Sequence, residues 1–206
     1  MFNLAICYEN GKGTEKDLEK AVYCYQKAAE NGYVKAMNSL AICYENGEGT
    51  EKNYEKAFNW YQKAAENGDE KAMLNLAMCY ENGEGTEKNY ETAFYWYQKA
   101  VEKDYIKAMN NLANSYYDGK GTEKNYEKAF YWYQNAAENG NEVAMFNLAA
   151  SYKNGEGTEK NLEKAFYWYK KAAENEGTEK NLEKAFYWYK KAAENGDEVA
   201  MNNLAN

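Results

Sequence analysis

Gly11-Lys12-Gly13-Thr14 comes nearest in this chain to a reactive motif. Paired glycines beside a lysine and a hydroxyl residue can cradle a phosphate with backbone N–H groups. A phosphate loop also needs a strand before it and Gly-Lys-Ser/Thr at its end. Gly47 with Gly49 and Gly83 with Gly85 repeat the spacing without that context, and all read as turns that end helices. Cys7, Cys43 and Cys79 recur at one repeat position and raise the idea of a disulfide or metal ladder. Packed helices lie about 10 Å apart, whereas a disulfide needs Cα atoms within about 7 Å. Zinc wants clustered Cys or His, and the chain has no His. The cysteines therefore read as small, half-buried core residues. No nucleophile has an evident activating neighbour, and the many carboxylates read as helix-surface Glu. The expectation is a protein that is not an enzyme and has no metal or cofactor.

What positions these residues is a repeat. The unit Glu84-Gly85-Thr86-Glu87-Lys88-Asn89-Tyr90, with the helix after it, has counterparts that begin at Lys12, Glu48, Lys120, Glu156 and Glu176. The first five copies are 36 residues apart, and the sixth follows after only 20. A fixed period of this size marks a repeat array whose core lies between neighbouring units. In the unit 69–104, Ala72, Met73, Leu76, Ala77 and Tyr80 have amphipathic helix spacing and predict a helix A over 70–81. Gly83 is placed to end it in the left-handed conformation. Asn89 is a good N-cap, and Glu91 suits the first turn of a helix B over 90–102. Ala93, Phe94, Trp96, Tyr97, Ala100 and Val101 form its apolar face. Small residues recur at Ala36, Ala72 and Ala108 in helix A and at Ala57, Ala93 and Ala129 in helix B. They would let helices approach closely, with Tyr44, Tyr61, Tyr80 and Tyr97 filling the space between repeats.

Composition narrows the function classes. The net charge is −8, and Lys is scattered among Glu, so the basic stripe of a nucleic-acid binder is missing. No stretch approaches 18 apolar residues, so no membrane span is expected, and the first residues lack the pattern of a signal peptide. Four cysteines outside any pairing pattern favour a reducing compartment, and the expected location is cytoplasmic.

The residues Ala72…Leu76-Ala77…Tyr80-Glu81-Asn82-Gly83-Glu84-Gly85…Asn89…Ala93-Phe94-Tyr95-Trp96-Tyr97…Lys99-Ala100 closely resemble the Sel-one-like repeat (SLR), a relative of the tetratricopeptide repeat. The resemblance recurs along essentially the whole chain. It departs at Thr50, Thr86 and Thr122, where the family usually has Val, and at Asn53 and Asn89, where it often has Asp. It implies an all-α fold, a right-handed superhelix of antiparallel helix pairs with helix A on the concave side, and a role in holding protein partners. A secreted cysteine-rich branch of the family has a cysteine pair in each repeat and links to β-lactam binding. This chain lacks the pairs, so that function does not carry over.

The chain reads as a single solenoid domain over 1–206. Residues 156–175 and 176–195 are identical, and the second copy has no helix A before it. It reads as a recent duplication whose removal would restore the period and raise stability. The chain starts and stops inside a helix A, which suggests a piece of a longer array. Self-association through these uncapped ends is a second expected mode.

The remaining signal is variation among the repeats. Counting from each Met37-type residue, the positions one, five and eight later differ most: Phe2, Ile6, Glu9; Asn38, Ile42, Glu45; Leu74, Met78, Glu81; Asn110, Asn114, Tyr117; Phe146, Ala150, Lys153. These positions fall within about 60° of one another around the helix. The sequence therefore predicts an exposed stripe that binds a partner peptide or protein through Phe2, Ile6, Ile42, Leu74, Met78, Asn110, Asn114, Tyr117, Phe146 and Lys153. The alternative is a structural or regulatory arm of a longer polypeptide with an enzymatic domain elsewhere.

Overall fold

The structure, a computed structural model, describes residues 1–176 and Lys190, with side chains described through Ala173 and at Lys190. The duplicated stretch 176–195 and the effect of deleting it lie outside the described residues, apart from Glu176 and Lys190. Ten α-helices and no strand occur among the described residues. They are α1 (Phe2–Asn10), α2 (Leu18–Glu30), α3 (Val34–Asn46), α4 (Tyr54–Glu66), α5 (Glu70–Asn82), α6 (Tyr90–Val101), α7 (Ile106–Asp118), α8 (Tyr126–Glu138), α9 (Glu142–Asn154) and α10 (Leu162–Glu176). The chain divides into two compact units at the Tyr105–Ile106 junction. Odd-numbered helices are helix A of a pair and even-numbered ones helix B. In the first unit α1 packs on α2, α3 on α4 and α5 on α6, while α2 meets α3 and α4 meets α5. In the second, α7 packs on α8, α8 on α9 and α9 on α10. The fold is an all-α solenoid of helix pairs.

The local signals act where the sequence placed them. Asn53, Asn89 and Asn125 each accept a hydrogen bond from the backbone N–H three residues on, at 2.8–2.9 Å. This satisfies one of the donors left open at each helix start. Gly83 ends α5 at φ 77°, and its N–H and that of Glu84 both close onto the Cys79 carbonyl. Gly85 does something different. A Cβ on it would lie 2.1 Å from the Tyr54 carbonyl oxygen, at the first turn of α4. The second glycine of the loop therefore lets one repeat seat its backbone against the preceding helix B.

The core is built from alanines and large rings. Ala36, Ala41, Ala57, Ala72 and Ala77 are fully buried, as are Leu40, Leu76 and Tyr61. Without a side chain beyond Cβ, these alanines let neighbouring helices close up, and the rings fill what remains. Tyr80 stands edge-on to Phe58 of the preceding repeat, with centroids 5.3 Å apart. It fills space between repeats as expected, although it is only half-buried. The four cysteines are free thiols, with Cys7 half-buried and Cys24, Cys43 and Cys79 buried.

Candidate interaction surface

The variable positions of helix A do not form one exposed stripe. Position one faces inward. Leu74 is 9% exposed, and Asn110 is 6% exposed. Phe2 and Phe146 are half-buried against rings: Phe2 lies 5.7 Å from Tyr25 and 4.8 Å from Tyr33, and Phe146 lies 4.9 Å from Tyr169. Phe2 also lines a hollow of about 480 Å³ with Ala28, Asn31 and Tyr33. The expectation of exposure fails at position one because its side chains are engaged within the fold: rings meet Phe2 and Phe146, and amides of the next helix A meet Asn38 and Asn110.

Position eight carries a bolt between the two helices of a pair. Tyr25, Tyr61 and Tyr97 on helix B donate hydroxyl hydrogen bonds to Glu9, Glu45 and Glu81 on helix A, at 2.8, 2.8 and 2.5 Å. In the fourth repeat Tyr117 replaces the glutamate. There Tyr133 donates to Asn114 Oδ1 at 2.7 Å, one turn earlier. Tyr117 stands edge-on to Tyr126, with centroids 5.2 Å apart, and donates to Glu156. In the fourth repeat Asn114 and Tyr117 thus vary together for an internal reason: with no carboxylate at position eight, Asn114 at position five supplies the acceptor. Lys153 holds position eight in the fifth repeat and is half-buried.

Position five is what remains open. Ile6, Ile42 and Asn114 are half-buried, and Met78 is 41% exposed. In the first unit Ile6, Ile42 and Met78 thus form a short apolar row on the helix A face. Beside it Asn75 Nδ2 donates to Asn38 Oδ1 at 3.3 Å, joining α3 to α5. In the second unit Asn147 Nδ2 donates to Asn110 Oδ1 at 3.0 Å, joining α7 to α9.

The electrostatics argue against chemistry by these groups. Burial pushes the thiols of Cys43 and Cys79 up to about 12, and nearby glutamates add to the shift. They stay protonated and are poor nucleophiles or metal ligands. Burial also raises the Tyr61 phenol far above its ordinary value, with Glu45 reinforcing the effect. Among the described residues no His, Cys, Asp and Glu group could hold a metal ion, and no helix is long and apolar enough to cross a membrane.

With the helix pairs and their bolts in place, the comparisons decide the family. The Sel1 repeat profile matches at residues 1–33, 34–69, 70–105, 106–141, 143–177 and 175–197. The chain belongs to the Sel1 repeat family. Sel1 repeat proteins generally mediate protein–protein interaction and are typically non-catalytic scaffolds. The chain is similar to a Sel1 repeat protein from Oxalobacter formigenes, with 35% identity and a TM-score of 0.83 over 93% of this chain and 83% of that one. It is also similar to c5321, a protective antigen with an SLR fold present in uropathogenic Escherichia coli strains. That match has 29% identity and a TM-score of 0.82 over 99% of this chain and 47% of the antigen, so the chain spans about half its length. Helicobacter pylori cysteine rich protein B matches at 30% identity and a TM-score of 0.50, over 63% of this chain and 92% of that one. No curated protein matches the sequence.

Two features of the surface went unread in the sequence. One is the Asn38–Asn75 pair, whose members belong to different repeats. The other is on helix B, where Tyr23, Tyr95, Tyr131 and Tyr167 are exposed. Tyr95, Tyr131 and Tyr167 each stand edge-on to the following Trp, at 5.0–5.3 Å. Their spacing of 36 residues from Tyr95 onward is visible in the sequence, but only the packing shows that these rings face outward.

Proposed function

We propose that this Sel1 repeat chain is a non-catalytic scaffold that takes a partner peptide or protein on its helix A face. The observation that carries this reading is the apolar row Ile6, Ile42 and Met78. Met78 leaves 41% of its surface in solvent although the positions around it are packed. An adaptable thioether beside an aliphatic side chain suits a surface that accepts another chain. The binding residues are accordingly fewer than the sequence suggests: Ile6, Ile42 and Met78 in the first unit, with Phe2 at its edge. Leu74, Asn110, Asn114 and Tyr117 serve chiefly to hold helices together.

The test compares affinity capture by the unaltered chain and by Ile42→Glu, Met78→Glu, both with unchanged helical circular dichroism. Loss of a captured protein with the variant is the expected result. Capture of the same proteins by both chains would move the site off the helix A face.

A further inference from the structure

We infer that Asn82 is the site at which the folded chain deamidates first, its carboxamide exchanged for a carboxylate through attack by the Gly83 nitrogen and then by water.

Seven Asn-Gly sequences lie within residues 1–176. Glycine has no side chain to shield its nitrogen, so an asparagine before it is open to this reaction. The glycine nitrogen gives up its proton to solvent base and bonds to the asparagine Cγ. The Cγ–Nδ2 bond breaks, and ammonia leaves with a proton. Water then opens the five-membered imide at either carbonyl. The product is aspartate, or isoaspartate with the main chain routed through the former side chain. Water is the only co-reactant, and nothing is oxidised or reduced.

Local sequence does not separate the seven sites. Glutamate precedes every one except Asn154, which follows Lys153. Residues 43–55 and 79–91, around Asn46 and Asn82, are identical. The fold does separate them. Asn31, Asn67 and Asn139 each donate Nδ2 to the carbonyl four residues back, at 2.6, 2.8 and 2.9 Å. Asn10 does the same at 3.0 Å. Asn46 and Asn154 reach a glutamate two residues on, at 3.3 and 3.2 Å. Glu84 stands in the matching place without making that bond, and the Asn82 carboxamide has no hydrogen-bond partner among the described residues. Asn82 and Gly83 are both exposed, at the end of α5, where helices fray. Before it reacts, the Gly83 N–H must release the Cys79 carbonyl, 2.8 Å away. Gly47 and Gly155 are held by the same kind of bond at 2.9 Å, so the difference lies in the side chain.

The position gives the modification a structural consequence. Gly83 opens the loop in which Gly85 seats against Tyr54. Isoaspartate would lengthen the main chain there by one atom. Either product adds negative charge at a helix C-terminus, which the helix dipole opposes. Conversion of Asn82 therefore loosens the seat of this loop on α4.

The test incubates the full chain at mildly alkaline pH, folded and in urea. Peptide mapping with electron-transfer fragmentation then locates the mass gain at each converted amide and tells isoaspartate from aspartate. The side-chain bond that other sites must break corresponds to about a two- to tenfold difference in rate. In the folded chain Asn82 should convert faster than Asn31, Asn67 and Asn139 by about that factor. In urea the seven sites should convert at similar rates. Asn82→Gln, whose longer side chain closes a six-membered ring far more slowly, should remove the fastest phase. The converted fraction should melt below the fresh chain. The two incubations of the unaltered chain carry the test even if the variant folds poorly. Conversion of Asn31, Asn67 or Asn139 as fast as Asn82 in the folded chain overturns the inference. So does a folded chain unchanged at Asn82, or a lead of Asn82 that persists in urea.

Discussion

Alanine at Gly85 tests how the repeats are joined. Gly85 has φ 72°, and a Cβ there would stand 2.1 Å from the Tyr54 carbonyl oxygen and 2.5 Å from its carbon. Ordinary carbon contacts are about 3.5–4.0 Å. The loop would have to withdraw by more than about 1 Å, against backbone that cannot rotate aside as a side chain can. Two costs then add. An L-residue in the left-handed region costs about 1–2 kcal/mol, and overpacking adds about 1–3 kcal/mol. Gly68→Ala is the control. Gly68 has φ 89° with nothing within 4 Å of the added Cβ, so only the backbone cost applies. For a chain of this size 1 kcal/mol moves the melting temperature by about 2–4 °C. Thermal unfolding followed by circular dichroism should place Gly85→Ala about 2–12 °C below Gly68→Ala. Gly157→Ala should behave like Gly85→Ala, because its Cβ would lie 2.0 Å from the Tyr126 carbonyl oxygen. If Gly85→Ala and Gly68→Ala melt together, the close seating of loop on helix is refuted.

Tyr61→Phe removes the hydroxyl bolt to Glu45 and should cost about 1–2 kcal/mol in urea unfolding, since the acceptor is charged but half-buried; an unchanged midpoint would deny the bolt a role. Ala93, 2% exposed, should not accept a larger side chain: Ala93→Leu is expected to cost about 1–3 kcal/mol by thermal melting. Asp104 has φ 58° at the turn where other repeats carry glycine, so Asp104→Gly should raise stability by up to about 1 kcal/mol. Alkaline pH gives a further test. The phenols of Tyr25, Tyr61 and Tyr133 and the thiols of Cys43 and Cys79 are all raised above ordinary values of 10.0 and 9.0. Their neutral forms favour the fold, so stability should be full below about pH 9 and fall as pH rises toward about 12. Melting temperatures constant across that range would contradict the burial of these groups.

Much of the architecture is legible without coordinates. The 36-residue spacing, the amphipathic runs, Asn89 as a cap and Gly83 as a stop are local or periodic signals. They place α5 and α6 to within one residue of Glu70–Asn82 and Tyr90–Val101. The proposed binding surface was less legible, because variability marks two different things. At Leu74 and Asn110 it reflects contacts with neighbouring helices, and at Asn114 with Tyr117 it reflects an acceptor that moved by one turn. At Met78 it coincides with open access to solvent, and at Ile6 and Ile42 with an apolar side chain that stays half-buried.

The sequence by itself determined the helices, their ends and the repeat that pairs them, since capping, period and turn chemistry act over a few residues. Only the tertiary structure decided which positions are open. Whether Asn38 is a surface residue or half of an amide pair depends on Asn75, 37 residues away. Whether Gly85 is a flexible turn or a seat for Tyr54 depends on the helix B before it. These distinctions arise between repeats, where side chains and backbones from separate units compete for the same space.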